Sequence, residues 1–172
     1  MYRSIHVVWA SAAVLVLSAS TRAADAPAAG LHVATLNIAG TYELVKRVLP
    51  DGKELLPPAI VGLYTMTHGR RNFNVAWTDK DGKAGSLSVL AEYTLTGAKY
   101  CQKVWFWLQN NTAKPGFSNE VPPAANECSA VTVKNGKITF QEPAAGPVLS
   151  FDKDGLTATS AGQFVDHWKK LR

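Results

Sequence analysis

Enzyme signatures are the first thing this sequence lacks. It contains no Gly-x-Ser-x-Gly elbow, no His-Glu-x-x-His pair, no Gly-x-Gly-x-x-Gly turn and no phosphate-cradling loop. The common hydrolase, metalloprotease and nucleotide-binding arrangements are thereby removed. There are only two cysteines and four histidines, with no Cys-x-x-Cys pair and no Cys–His spacing fit for zinc, so neither a metal nor a cofactor is implied. Charge is sparse, at 18% of residues, and the basic side chains are scattered beside turns. Nucleic acid needs a concentrated basic stripe, so it is set aside as a partner. Long apolar runs are also missing. The one run, residues 7–19, is 13 residues long, whereas a membrane-spanning helix needs about 20.

That short run sits where an export signal would place it. Arg3 precedes it, and Thr21-Arg22-Ala23 follows with small residues at the −3 and −1 positions. A charged start, a short apolar stretch and a small-residue site form a secretory signal peptide. We expect residues 1–23 to be cleaved and 24–37, rich in Ala, Pro and Gly, to be a flexible lead-in. The domain proper is then 38–172, periplasmic or secreted, with no membrane span in its mature form. Removing the leader leaves 16 basic residues against 13 acidic ones. Cys101 and Cys128 are an even pair in an exported chain, and a disulfide between them is the natural expectation. It would tie the two ends of the longest loop, for about 3 kcal/mol of chain-entropy stabilisation.

From about residue 40 to 160 the chain is a series of short apolar segments closed by turn dipeptides. Asp51-Gly52, Asp81-Gly82, Asn135-Gly136 and Asp154-Gly155 are the strong marks; His68-Gly69 and Thr96-Gly97 are weaker. Asn-Gly and Asp-Gly accept the positive φ of a tight hairpin at little cost. Strands are expected at 40–49, 60–67, 71–78, 86–96, 99–108, 127–134, 137–141, 148–151 and 156–160. The segment 109–126 reads as a long loop, and the tail 163–172 fits either a last strand or a short helix. In the first strand Tyr42, Leu44 and Val48 share one face, with Thr41, Glu43 and Arg47 on the other. In 86–96 Leu87, Val89, Ala91, Tyr93 and Leu95 alternate with polar residues, the mark of one dry and one wet face. Segment 104–108 is apolar on both faces, so either its outer side is covered by another element or it lines both a cavity and a partner surface, a candidate homodimer interface. The fold class is all-β: a single antiparallel up-and-down β-barrel of about eight to ten strands, since closure removes the exposed sheet edges.

Aromatic side chains from different strands are the candidate pocket. Tyr42, Phe73, Trp77, Tyr93 and Trp105 would be brought round one interior by closure, as a ligand-contacting wall or as the filling of a solid core. Arg71, in the His68-Gly69-Arg70-Arg71 turn, is placed to meet a charged ligand end at the barrel rim, or to be a solvated turn residue. Asp79-x-Asp81-Gly82 and Asp152-x-Asp154-Gly155 look like calcium loops, but the loop's closing glutamate is replaced by Leu90 and Gln163, so both read as hairpin turns. Asp166-His167 are strand neighbours facing opposite ways.

Gly40-Thr41-Tyr42-Glu43-Leu44 resembles the Gly-x-Trp opening of lipocalin-type barrels, with tyrosine where tryptophan is usual. Val61-Gly62-Leu63-Tyr64-Thr65 and the strand ending Thr94-Leu95-Thr96-Gly97 are similar to the bacterial lipocalin-like domain family. The resemblance covers about residues 38–171. It implies an up-and-down barrel with an internal pocket for an apolar small molecule, and a basic residue near the chain's end, Lys170 or Arg172, packed over Tyr42. The functional expectation is an exported protein that binds a small apolar or amphiphilic molecule in its interior. Two alternatives stay open: a barrel enzyme of isomerase, cyclase or hydrolase type using an inward carboxylate or histidine, and an envelope protein acting through its surface around a solid core.

Overall fold

The computed structural model describes residues 37–79, 81–110, 116–120 and 126–172. The expected leader and nearly all of the lead-in fall outside these described residues. Within them all regular structure is strand: β1 (Gly40–Val48), β2 (Glu54–Leu55), β3 (Ile60–Thr67), β4 (Arg70–Thr78), β5 (Ala84–Leu95), β6 (Lys99–Asn110), β7 (Phe117–Glu120), β8 (Glu127–Lys134), β9 (Lys137–Gln141), β10 (Val148–Phe151), β11 (Gly155–Ser160) and β12 (Phe164–Lys170).

Ten of these strands form a closed ring in the order β1-β3-β4-β5-β6-β8-β9-β10-β11-β12, and β12 pairs back to β1. Every pairing is antiparallel, so the wall is an up-and-down meander. The short β2 pairs with β1, and β7 with β6. One expectation is corrected here and one open reading is resolved. The segment 109–126 is not wholly a loop, because β6 runs on to Asn110 and β7 returns beside it. The tail is a strand, whose pairing with β1 closes the barrel.

Turn chemistry explains the meander. Asn135 and Gly136 both take positive φ, 51° and 74°, and His68 and Gly69 do the same at 46° and 72°. Two successive positive φ values make the hairpin turn whose twist matches the strands it joins. The calcium-like loops are turns capped by their own aspartates: Asp79 Oδ1 accepts from the amides of Asp81 and Lys83, and Asp152 Oδ1 from those of Asp154 and Gly155.

Two bulges interrupt the alternation. In β1, Leu44 pairs with Trp168 and Lys46 with His167, leaving Val45 without a partner. In β6, Leu90 pairs with Phe106 and Ala91 with Val104, so Trp105 is the extra residue. One extra residue reverses which side chains face inward beyond it.

The end of the barrel carrying the 68–69, 96–98, 135–136 and 152–154 turns is packed solid. Tyr100 stacks on Phe140 at 4.1 Å, Phe140 on Phe151 at 5.7 Å, and Tyr42 meets Phe151 edge-on at 5.6 Å. Tyr42 also donates to the carbonyl of Ile38, itself buried. Lys170 Nζ lies 5.7 Å from the Tyr42 ring centroid, which is the basic-over-aromatic contact implied by the resemblance. The wall is uneven. β5 and β6 have 12 residues each, whereas β9 has five and β10 four. At about 3.3 Å per residue one side stands far higher than the other, and the 142–147 connection comes to lie at mid-depth. The Cys101–Cys128 disulfide joins cross-strand partners of β6 and β8.

Candidate ligand cavity

Strand alternation builds the site. β4 sends Arg71, Phe73, Val75 and Trp77 inward in that order, from the solid end toward the opposite mouth. Leu87 and Val89 face in from β5, Val104 from β6, and Trp168 from β12. Beyond the two bulges, Trp107 and Gln109 face in from β6 and Arg47 from β1. The enclosed space is about 740 Å³, within the range of small-molecule sites. Two glycines leave room for indoles. A side-chain carbon on Gly62 would stand 2.9 Å from both the Trp168 ring and the Asn74 carbonyl, and one on Gly85 would overlap the Trp77 ring.

The cavity floor is polar. Arg71, 3% exposed, places Nη2 2.6 Å from Glu142 Oε1. Its Nε donates to the Tyr64 hydroxyl at 2.9 Å and its Nη1 to Gln102 Oε1 at 3.0 Å. The Tyr64 hydroxyl in turn donates to Glu142 Oε1 at 3.0 Å, and Tyr100 donates to Gln102 from below. Each group satisfies another, as buried polar groups must. Burial acts to lower the Arg71 pKa, but the Glu142 charge, with smaller help from Tyr64 and Tyr100, raises it overall. Burial likewise raises Tyr64 well above the ordinary tyrosine value. Both remain proton donors throughout the physiological range.

Nearer the mouth, Arg47 grips Asp166 with two bonds, Nε to Oδ1 at 2.6 Å and Nη2 to Oδ2 at 2.8 Å. The guanidinium carbon lies 3.9 Å from the Phe164 ring centroid and 5.9 Å from that of Trp77. Burial raises the Asp166 pKa, and the Arg47 hydrogen bonds and charge offset part of that rise. Among the described residues no group of three or more metal-ligating side chains forms.

Of the aromatic and arginine residues read from the sequence, Phe73, Trp77 and Arg71 line this cavity. Arg71 is inside the barrel, not in the solvated turn. Tyr42 and Tyr93 belong to the filled half, Tyr93 stacking on Tyr100 at 5.9 Å. Trp105 does not face inward: it is 39% exposed on the outer wall, with Arg70 over its ring at 4.5 Å. The bulge at Trp105 is the cause, and Trp107 takes the inward place. Arg47 is corrected in the same way, since the Val45 bulge turns it from the expected wet face into the cavity. The doubly apolar segment 104–108 thus divides into Val104 and Trp107 inside and Trp105, Phe106 and Leu108 outside. Sequence reasoning also missed Tyr64, Gln102, Glu142 and Asp166. Tyr64 was within reach, because Ile60, Tyr64 and Met66 share one face of β3 with buried side chains. Glu142 had no signal, as a carboxylate before a proline in a turn looks solvated.

The topology and the cavity define a closed, ten-stranded antiparallel up-and-down barrel with a half-filled, half-hollow interior. The sequence matches no protein-family profile and no curated protein. A lipocalin-like protein from Bacteroides uniformis has a similar solved structure, with 14% identity, 77% of this chain and 97% of that one covered, and a TM-score of 0.34.

Proposed function

We propose that this chain is an exported lipocalin-like protein that holds a small apolar or amphiphilic molecule in the open half of its barrel. The observation that carries this reading is the 740 Å³ cavity, walled by Phe73, Trp77, Val89, Val104, Trp107 and Trp168 above a small set of oriented polar groups. Apolar walls with a few convergent polar atoms are the usual makeup of a small-molecule site. Export is supported by the leader-like residues 1–23 and by the Cys101–Cys128 disulfide, which suits an oxidising compartment. Native mass spectrometry of the protein taken from its own exported fraction tests the reading. A co-purifying small molecule is expected, with its release changing the emission of the inward tryptophans. A mass equal to the bare chain, together with flat tryptophan titrations against fatty acids, retinoids and quinones, overturns it.

One observation favours a catalytic reading: Glu142 and Asp166 are inward carboxylates, which a barrel enzyme would need. Each is committed to an arginine at 2.6 Å, and this makes binding the better-supported function. Recovery of the bound molecule chemically unchanged after prolonged incubation agrees with binding; its conversion would establish the enzyme. A homodimer through the outward side chains of 104–108 is a separate proposal, checked by concentration-dependent sedimentation of the wild type and Trp105→Glu.

A further inference from the structure

Glu142 occupies its buried position in an unusual way for a structural residue. It lies on no strand but immediately after β9, at the root of the low 142–147 connection. Its backbone amide is already held by the Pro147 carbonyl at 2.9 Å. The side chain can therefore turn away by rotation about its own bonds while the backbone stays bonded. Only one carboxylate oxygen is used: Oε1 takes both Arg71 Nη2 and the Tyr64 hydroxyl, and Oε2 has no hydrogen-bond partner among the described residues. Arg71 and Tyr64, by contrast, are fixed on adjacent strands of the high wall, where Tyr64 pairs with Phe73 and Met66 with Arg71. The donors are built in, and the acceptor is the replaceable part.

The apolar lining continues from those donors. Phe73, Val75 and Trp77 rise from Arg71 along one strand, roughly 20 Å of wall at strand spacing. A molecule with an acidic head at Arg71 and a hydrocarbon tail toward the mouth matches this order of side chains. A guanidinium presents its donors in a fork that suits a carboxylate.

We infer that Glu142 is an internal stand-in for a ligand carboxylate: an amphiphilic monocarboxylate puts its head on Arg71 and Tyr64, and Glu142 swings out toward the mouth. This inference rests on the cavity-binding reading and names its ligand class. Exchange keeps Arg71 paired at every stage, so the large cost of an isolated buried charge is not incurred. Arg71 keeps its charge and Tyr64 its proton, so both donors serve the incoming head as they serve Glu142.

The test compares dodecanoate with dodecanol, matched in tail and differing in head, by tryptophan fluorescence on the disulfide-bonded protein. Wild type is expected to bind dodecanoate at least about tenfold more tightly than dodecanol, and Glu142→Gln, with the competitor neutralised, to tighten dodecanoate by a further factor of about ten while leaving dodecanol unchanged. Arg71→Met, folded by circular dichroism, is expected to lose the preference for the acid. Equal or tighter binding of dodecanol by wild type overturns the inference and leaves the cavity reading standing, as does a Glu142→Gln protein that fails to tighten dodecanoate. Binding of neither probe by any of the proteins overturns the inference, and the cavity reading falls with it when the retinoid and quinone titrations are flat as well. The wild-type comparison needs no variant, so the inference stays exposed even where a substitution prevents folding.

Discussion

Arg47 and Trp107 enter the same cavity from β1 and β6, and each stands two residues beyond a bulge residue, Val45 and Trp105 respectively. Without the extra residue in each strand, Arg47 and Trp107 would both point into solvent. The bulges thus decide which indole can report a ligand. Trp77, Trp107 and Trp168 line the cavity, whereas Trp105 lies outside. Trp105→Phe is expected to remove most of the acrylamide-quenchable emission and leave the ligand-induced change intact. Trp107→Phe should keep the quenchable emission and reduce the ligand-induced change, to which Trp77 and Trp168 also contribute. Quenching of the two variants with and without ligand checks this, and a ligand response lost with Trp105 would place the site elsewhere.

Glu142→Met leaves the Arg71 guanidinium, fixed on β4 and 3% exposed, without its anion, for a loss of about 3–5 kcal/mol in urea unfolding. Removing both charges in Arg71→Met/Glu142→Met leaves no stranded ion, so the double variant should be more stable than Glu142→Met alone. A double-mutant cycle measures this coupling. Additive losses would mean that the pair does not interact in solution.

Gly62→Ala drives a methyl group against the Trp168 ring and the Asn74 carbonyl, each 2.9 Å from the new carbon. The carbonyl belongs to the backbone and cannot rotate away. A destabilisation of about 1–3 kcal/mol is expected, with a shifted Trp168 emission. Thermal melts and emission spectra read both effects.

Burial raises the pKa of all four described tyrosines, Tyr42 to about 12, with Tyr64, Tyr93 and Tyr100 also above the ordinary value of 10.0. Between these pH values the folded chain binds more protons than the unfolded one, so stability falls as pH rises. The contribution is complete below pH 10 and is lost as pH passes through about 12. Phenolate absorbance from these residues is expected to emerge together with loss of the strand circular-dichroism signal. Phenolate formation in a still-folded protein would show the tyrosines to be wet.

The disulfide closes a sequence separation of 27 residues, for about 3 kcal/mol of stabilisation on the chain-entropy model. Cys101→Ser/Cys128→Ser is expected to lower urea stability by about that amount and to keep the strand spectrum. A loss near zero would mean that the β6–β8 pairing already restrains the unfolded ensemble.

The fold was legible in the sequence because its signals are local. Asn135-Gly136 and the Asp-Gly pairs specify turns by backbone geometry, and the alternation through 86–96 specifies a half-buried strand. The inward face of β4 was legible, because its alternation from Phe73 to Trp77 runs without interruption. Such a face was lost wherever an extra residue enters a strand, because a bulge is a property of pairing between two strands and leaves no mark in either one alone. Trp105 was read as inward and Arg47 as outward for that reason. The floor was hidden differently: Glu142 is brought to Arg71 by the shortness of β9 and β10, a difference in strand lengths that no single segment displays. Whether aromatics fill or line the interior also had no local answer, since Tyr42 and Phe73 look alike in sequence and lie in different halves.

The seam between β1 and β12 has a kinetic meaning. Arg47 waits for Asp166 across 119 positions of chain, and until that strand arrives β1 has no partner on one flank. Non-local pairing of this kind is slow, so the ring should be the last thing to shut as the chain folds. During that interval the future binding chamber is an open trough, and a guest present then would be wrapped rather than admitted.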